Sequence, residues 1–330
     1  MTVTARVMVA GCWAAIVTGV LLAGAQLTGI AEPPPPELIA FDPGPVTRWG
    51  TPLLRFTGTT AAVLAVGTLL GLVILDGLPR HRTAVVSLRR ATRLLAFIAV
   101  VALILQVMLG ISAIVGRPAH TIAVADYLAC LTMPGILYCL GSIAGFLCLA
   151  ILIRTGTTPL NLLVVGMVAT CLPYAGGHPS SASNHVVSLG MIVLHVLAAA
   201  LWVGGLAMLL IVGGVLGDRV AVRTVLPKFS RLALPCGIAT GISGLGSLLA
   251  QAPEVGGYSR NYLLLVLIKA IGLIGLFGFG AWHRRHSVPA TVPDPLAAGF
   301  LRTGLREVAV MSAIIAVATV LSRTPPGTFE

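Results

Sequence analysis

The stretch LLAFIAVVALILQVMLGISAIVG, residues 94–116, decides the fold class of this 330-residue chain. It contains no charged side chain, and it is long enough for an α-helix to cross a lipid bilayer, which takes about 20 apolar residues. Comparable apolar windows recur along the chain, at residues 7–30, 56–78, 94–116, 128–153, 160–176, 185–213, 232–251, 262–282 and 306–322. We therefore expect an all-α, polytopic transmembrane helix bundle with about nine spans.

The composition agrees with a membrane protein, because 57% of the residues are hydrophobic and only 9% are charged. Soluble domains carry about 25% charged residues, so a soluble enzyme, a disordered chain and a secreted disulfide scaffold are excluded. The chain also lacks the G-x-x-x-x-G-K-[ST] loop of nucleotide-binding proteins. We expect neither ATP hydrolysis nor another enzyme activity.

The charged residues between the windows predict the orientation of the chain. One side holds fifteen of the 21 basic residues and a net charge of +11, while the other side nets −1 and Lys269 lies within a window. Because cytoplasmic loops are enriched in Lys and Arg, the N-terminus is predicted in the cytoplasm and the C-terminus outside. The basic excess is spread over several segments without interleaved aromatic residues, so nucleic acid is not an expected partner.

The chain divides into two predicted membrane regions. Residues 1–158 hold four spans and a proline-rich outer loop at 31–52, and residues 159–330 hold five spans. The first window could also be a cleaved signal peptide, although its length favours a retained helix. Glycines recur at helical spacing in the seventh and eighth windows and predict close helix packing; they are Gly237, Gly241, Gly244, Gly272, Gly275 and Gly278.

Three histidines lie on the sixth window or in the outer turn before it. His178 and His185 bracket this turn, and His195 lies ten residues into the window, about 15 Å below the outer boundary. Met191 precedes His195 by four residues and therefore shares its helix face. Imidazole and thioether groups are ligands that suit Cu(I), so His178, His185, Met191 and His195 are the candidate metal ligands. The alternative for each is an ordinary structural or loop residue.

Three further residues are candidates for supporting roles. Trp202 continues the face of His195 inward, and Lys269 lies in the eighth window near the predicted depth of Met191. Glu307, at the inner end of the ninth window, either pairs with neighbouring arginines or forms the inner end of an ion path. The other histidines are expected in loops: His81, His283 and His286 solvated among arginines, and His120 alone on the outer side.

These residues also resemble a known family. The run HVLAAALWVGGL, residues 195–206, is similar to the signature of the copper resistance D (CopD) family, which consists of integral membrane proteins. Weaker similarities follow in KFSRLA (228–233), LIK (267–269), RE (306–307) and LSRTPP (321–326), and the Gly177-His178 turn also fits. The resemblance covers residues 160–326. Actinobacterial relatives often carry a second domain that resembles CtaG-type cytochrome oxidase assembly factors. The sequence ends before such a domain, so we expect either a stand-alone relative or the front half of such a fusion.

The resemblance implies copper transport or copper handling across a bacterial cytoplasmic (inner) membrane. The ion would be Cu(I), with the lipid bilayer, a periplasmic copper chaperone or cytochrome oxidase assembly factors as the expected partners. A haem-binding or oxidase-assembly subunit is an alternative, but His195 has no second deeply placed histidine to complete the axial ligands of a haem. The third alternative is a membrane scaffold that binds no metal.

Overall fold

The computed structural model describes residues 20–21, 24, 41–176, 185–250, 257–290, 298–322 and 324. Most of these residues are α-helical, as the apolar windows predict. In chain order the helices are α1 (Gly44–Ile74), α2 (Arg82–Val115), α3 (Val124–Cys130), α4 (Pro134–Leu152), α5 (Pro159–Ala175), α6 (His185–Leu210), α7 (Arg219–Ala250), α8 (Arg260–Ala290) and α9 (Ala298–Leu321). One π-helical turn, Ile211–Val215, extends α6.

Within the described residues, seven helices are long and apolar enough to cross a membrane. They are α1, α2, α4, α6, α7, α8 and α9, while α5 has 17 residues and is the shortest of the predicted spans. The prediction of a polytopic all-α bundle is thus confirmed. The window 7–30 lies mostly outside the described residues; its described residues Val20, Leu21 and Gly24 pack in a cluster with side chains of α9. The count of nine spans and the sides of the termini stay predictions.

Several helices are longer than the windows that predicted them. Helix α2 begins twelve residues before its window and α7 thirteen, so the basic segments expected as loops are largely helical. Arg and Lys are good helix formers and need water only at their side-chain tips, so a helix can continue past the lipid. The window at 128–153 is instead interrupted, because Met133 adopts the extended conformation favoured before a proline and Pro134 starts α4.

Helix α1 begins inside the segment predicted as the outer loop 31–52. The Gly44 backbone N–H donates to Asp42 Oδ1 over 2.8 Å, and Arg48 Nη1 donates to the same oxygen over 2.5 Å. The backbone hydrogen bond, together with the Arg48 guanidinium, lowers the pKa of Asp42 below its usual value. Asp42 therefore stays ionised and anchors the first turn of α1.

Helices α1 and α6 lie at the centre of the bundle. In each, 67% of the most apolar stretch is buried, against 22% in α4 and 11% in α8. The largest apolar core runs from Ala61 in α1 to Met311 in α9, so helices from both predicted regions contribute to it. The faces of α4 and α8 that are left uncovered are available to lipid, and the boundary near residue 158 stays a prediction.

Glycines let α1 and α6 cross in direct backbone contact. A Cβ atom built at Gly67 in α1 would overlap the carbonyl group of Gly204, and one built at Gly204 would overlap the Val63 carbonyl oxygen. A Cβ at Gly205 would overlap the Phe229 ring of α7. The glycine pair in the run 195–206 is therefore a packing element that brings three helices together.

Candidate functional site

One face of α6 carries the polar residues of the candidate site. Ser188, Met191, His195 and Trp202 follow one another at intervals close to whole helical turns, so they form a single stripe. Ser188 is fully buried, whereas Met191, His195 and Trp202 are partly buried. The stripe faces α7, and the predicted shared face of Met191 and His195 is thus present in the structure.

Helix α7 holds the His195 ring in one orientation. His195 Nδ1 lies 3.0 Å from the backbone carbonyl oxygen of Thr240 and 3.3 Å from Ser243 Oγ. A carbonyl oxygen only accepts hydrogen bonds, so Nδ1 carries the proton and donates it. The neutral ring consequently has an unprotonated Nε2, and its lone pair is available to a ligand.

Small residues on α7 make room for the α6 side chains. A Cβ at Gly244 would lie 3.4 Å from His195 Cε1, and one at Gly246 would lie 2.7 Å from the Met191 sulfur. A Cβ at Gly237 would lie 3.4 Å from the Trp202 ring. The predicted packing role of Gly237 and Gly244 is confirmed.

The glycines of α8 behave differently from the prediction. A Cβ at Gly272 would meet the Ile314 side chain of α9 at 2.8 Å, which agrees with a packing role. No described atom lies within 4 Å of a Cβ built at Gly275 or Gly278, so the prediction is wrong for these two. Among the described helices, α8 is at the edge of the bundle, where part of every turn has no described neighbour.

Trp202 closes the inner end of the α6 stripe. Its ring lies 5.6 Å from that of Phe277 in α8, with an angle of 31° between the two planes. This tilted pair spans the groove that Gly237 leaves in α7. Trp202 therefore packs three helices together about two helical turns from His195.

Lys269 on α8 carries a positive charge near the candidate site. Lys269 precedes Phe277 by eight residues and His195 precedes Trp202 by seven, so the contact between the Trp202 and Phe277 rings places the two residues at a similar level of the neighbouring helices. Lys269 is partly buried, and within the described part of the chain no hydrogen bond or ion pair involves its ammonium group. A fixed cation at this place opposes the binding of a second cation to His195.

For the Cu(I) site that the sequence predicts at His195, we expect the Lys269→Met variant to bind the ion about tenfold more tightly than the unmodified protein, a gain of roughly 1.4 kcal/mol. The reason is the loss of like-charge repulsion in a site where water screens poorly. Titration of the purified protein against a chromophoric Cu(I) chelator measures the affinity. Lys269→Arg keeps the charge and is the matched control; equal affinities for Lys269→Met and the unmodified protein would contradict the prediction.

Glu307 of α9 lies near the C-terminal end of α6. Its side chain is 8% exposed, and its Oε1 atom is buried without a hydrogen-bond partner in the described residues. Gly304, one turn earlier, packs against Leu210, the last residue of α6 before the π-helical turn. The predicted pairing with neighbouring arginines is not seen among the side chains that the structure describes.

The structure does not test the outer part of the predicted metal site. His178 lies outside the described residues, and so does the side chain of His185, although its backbone begins α6. In the described ranges no group of three or more His, Cys, Asp or Glu side chains could hold a metal ion. Met191 and His195 are thus the two candidate ligands whose positions are known.

Sequence reasoning missed three residues that the structure singles out. Thr240 and Ser243 orient His195, yet a backbone carbonyl and a common hydroxyl give no recognisable signal in a sequence. The prediction that His81 is solvated is wrong: it is 1% exposed, and its Nε2 atom lies 3.2 Å from Thr224 Oγ1 of α7. His81 is the last residue of the 3₁₀ turn Pro79–His81, which directly precedes α2, and this turn places its side chain in the protein interior.

The fold and the site together define a multi-pass α-helical membrane protein with a buried histidine held between two helices. Residues 223–321 match the family model described as Copper resistance protein D. The match covers α7, α8 and α9, including Thr240, Ser243, Lys269 and Glu307, and it supports the resemblance to that family. It begins after the run at 195–206 and covers less than a third of the chain.

No curated protein and no solved structure matches the chain. The family match relates the protein to copper resistance, while the CtaG-like fusion stays a prediction.

Proposed function

We propose that this protein moves Cu(I) through the cytoplasmic membrane of a bacterium, or delivers it to an assembly pathway, and that His195 is the central ligand. Copper is here the cargo and not a resident cofactor. His178 and His185 capture the ion on the outer side, and Met191 and His195 receive it within the bilayer. The orientation with the N-terminus inside belongs to the same proposal.

The hydrogen bond from His195 Nδ1 to the Thr240 carbonyl is the observation that carries the proposal. It orients the ring and leaves Nε2 free, as the outer hydrogen bond of a metal-binding histidine typically does. The Met191 thioether lies one turn closer to the outside on the same face. A neutral imidazole and a thioether are a favourable pair for Cu(I), and neither adds charge to the membrane interior.

Lys269 and Glu307 give the proposed path a direction. Lys269 weakens the hold of His195 on a cation, so the ion is bound briefly and can leave. Glu307 supplies a carboxylate at the inner end of the bundle, where a cation would replace its missing hydrogen-bond partner. A periplasmic copper chaperone or a cytochrome oxidase assembly factor is the proposed donor or acceptor of the ion.

The test is copper accumulation in cells that express the His185→Ala/His195→Ala double variant. We expect accumulation and copper sensitivity to fall to the level of cells with an empty vector, because both the outer and the buried imidazole are removed. His120→Ala, which removes an exposed histidine from the outer loop, is the matched control and keeps full accumulation. Unchanged accumulation and sensitivity in the double variant, at equal protein level, would refute the proposal.

The two alternative functions predict different results for the purified protein. A haem-binding subunit would show a Soret band in the visible spectrum of the purified protein. A scaffold without metal would contain no copper by elemental analysis and would be retained with a protein partner. Either result would replace copper handling as the function.

A further inference from the structure

A second polar site lies in the other half of the bundle, away from His195. A partly open cavity of about 30 Å³ is lined by α1, α2, α4 and α5 near the outer end of α5. Its polar lining includes Arg55 and Thr59 of α1, Gln106 of α2 and Tyr174 of α5. Apolar side chains such as Leu103 and Phe146 form the remaining walls.

Arg55 brings a positive charge into this cavity, and two contacts hold it there. Its guanidinium carbon lies 5.9 Å from the centre of the Tyr174 ring, within the range of a cation–π interaction. The Tyr174 hydroxyl is in turn hydrogen-bonded to Thr59 Oγ1 over 2.9 Å. The hydrogen bond to Thr59 therefore holds the Tyr174 ring in the position where it contacts the Arg55 guanidinium.

No described residue neutralises the charge of Arg55. The lining of the cavity contains no described carboxylate, and Asp42, which precedes the same helix, is bound to Arg48. Arg55 lies one residue before the apolar window 56–78, and a half-buried arginine at the membrane boundary is costly unless it meets an opposite charge or water. The described part of the chain thus presents a cation to this partly open cavity without supplying its anion.

The hydrogen-bonding groups of the cavity also favour an anion as its ligand. Ser142 and Thr170 use their hydroxyl protons on the carbonyl oxygens of Ala169 and Gly166. Arg55 and Gln106 have no hydrogen-bond partner among the described residues, so their N–H groups are available as donors. N–H donors around a cation are what an anion requires.

We propose that this cavity binds an anionic group on Arg55 and Gln106, either a small free anion such as chloride or the anionic oxygen of a lipid headgroup from the outer leaflet. A volume of about 30 Å³ holds roughly two water-sized atoms and excludes a nucleotide or a sugar. The site does not depend on copper, and its occupant neutralises a charge that the described residues leave uncompensated. Binding stabilises the packing of α1, α2, α4 and α5.

The test compares thermal unfolding of the full-length protein in different anions and lipids. In nanodiscs of neutral phosphatidylcholine, replacing sodium gluconate by sodium chloride at constant ionic strength should raise the unfolding midpoint by about 3 °C. If the ligand is a headgroup, the same rise follows the addition of phosphatidylglycerol instead of chloride. Either rise supports the proposal and identifies the source of the anion.

Variants separate the site from general salt effects. Arg55→Gln should abolish the rise, whereas Arg117→Gln, which removes an exposed arginine on the same side, should keep it. Gln106→Met, a milder change of similar volume, should at least halve it. The proposal is overturned if neither chloride nor phosphatidylglycerol moves the midpoint, or if Arg55→Gln responds as Arg117→Gln does. It is also overturned if Glu32→Gln/Glu37→Gln abolishes the rise, because Arg55 then has a partner within the chain.

Discussion

The Gly204→Ala variant should lose roughly 2–3 kcal/mol of stability, the usual cost of forcing an extra methyl group into a closely packed site. A Cβ at this position overlaps the Val63 carbonyl oxygen, and the backbone cannot turn away as a flexible side chain would. Helices α1 and α6 must then separate, although they form the centre of the bundle. Reversible unfolding in mixed micelles of mild detergent and dodecyl sulfate measures the loss. Gly67→Ala should give a similar loss, because it meets the same contact from the other helix.

The control for this prediction is an alanine at a helical glycine that has no neighbour. A Cβ at Gly275 meets nothing within 4 Å, so Gly275→Ala should leave stability unchanged or raise it by up to about 1 kcal/mol through helix propensity. If Gly204→Ala were as stable as Gly275→Ala, the crossing of α1 and α6 described above would be incorrect.

The His195→Ala variant should bind Cu(I) at least about 100-fold more weakly than the unmodified protein. Loss of a partner that merely orients a metal-binding histidine costs about 10- to 100-fold in affinity, and loss of the ligand itself costs more. The buried position leaves few replacements, since the other histidines of known position are His81 under the bundle and His120 in the outer loop. Competition with a coloured Cu(I) chelator in detergent gives the two affinities.

Two controls make the result specific to the imidazole. His120→Ala should bind as the unmodified protein does, and the unfolding midpoint of His195→Ala should stay close to that of the unmodified protein. A folded His195→Ala variant with undiminished Cu(I) affinity would remove His195 from the proposed path. If His195→Ala kept its Cu(I) affinity while the His185→Ala/His195→Ala variant still lost copper accumulation, the loss would be due to His185 alone.

The helices were predictable because membrane insertion demands long apolar segments, and such segments are visible in any sequence. Their ends were less predictable, as α2 and α7 show: both continue through segments rich in Arg and Lys. The charged residues of a segment show that it lies in water and not in lipid. They do not show whether that segment is a loop or the continuation of a helix beyond the membrane. The split between α3 and α4 had a local signal in Pro134, which the apolar window concealed.

The candidate site was predictable in part. The spacing of Met191 and His195 placed them on one face, and the structure adds that this face meets α7. The tautomer of His195 was not predictable, because it depends on a backbone carbonyl 45 positions away in the chain. The cavity around Arg55 was missed for the same reason: its six polar residues come from four helices and share no sequence motif.

The sequence by itself determined that the chain is a helical membrane protein, because the free energy of placing a segment in lipid depends on its own side chains. It also marked His195, Lys269 and Glu307 as costly residues within apolar segments. Only the tertiary structure decided which helices touch, which nitrogen of His195 is free and where a charge lacks a partner. These properties depend on distances between remote residues, and such distances exist only once the bundle has packed.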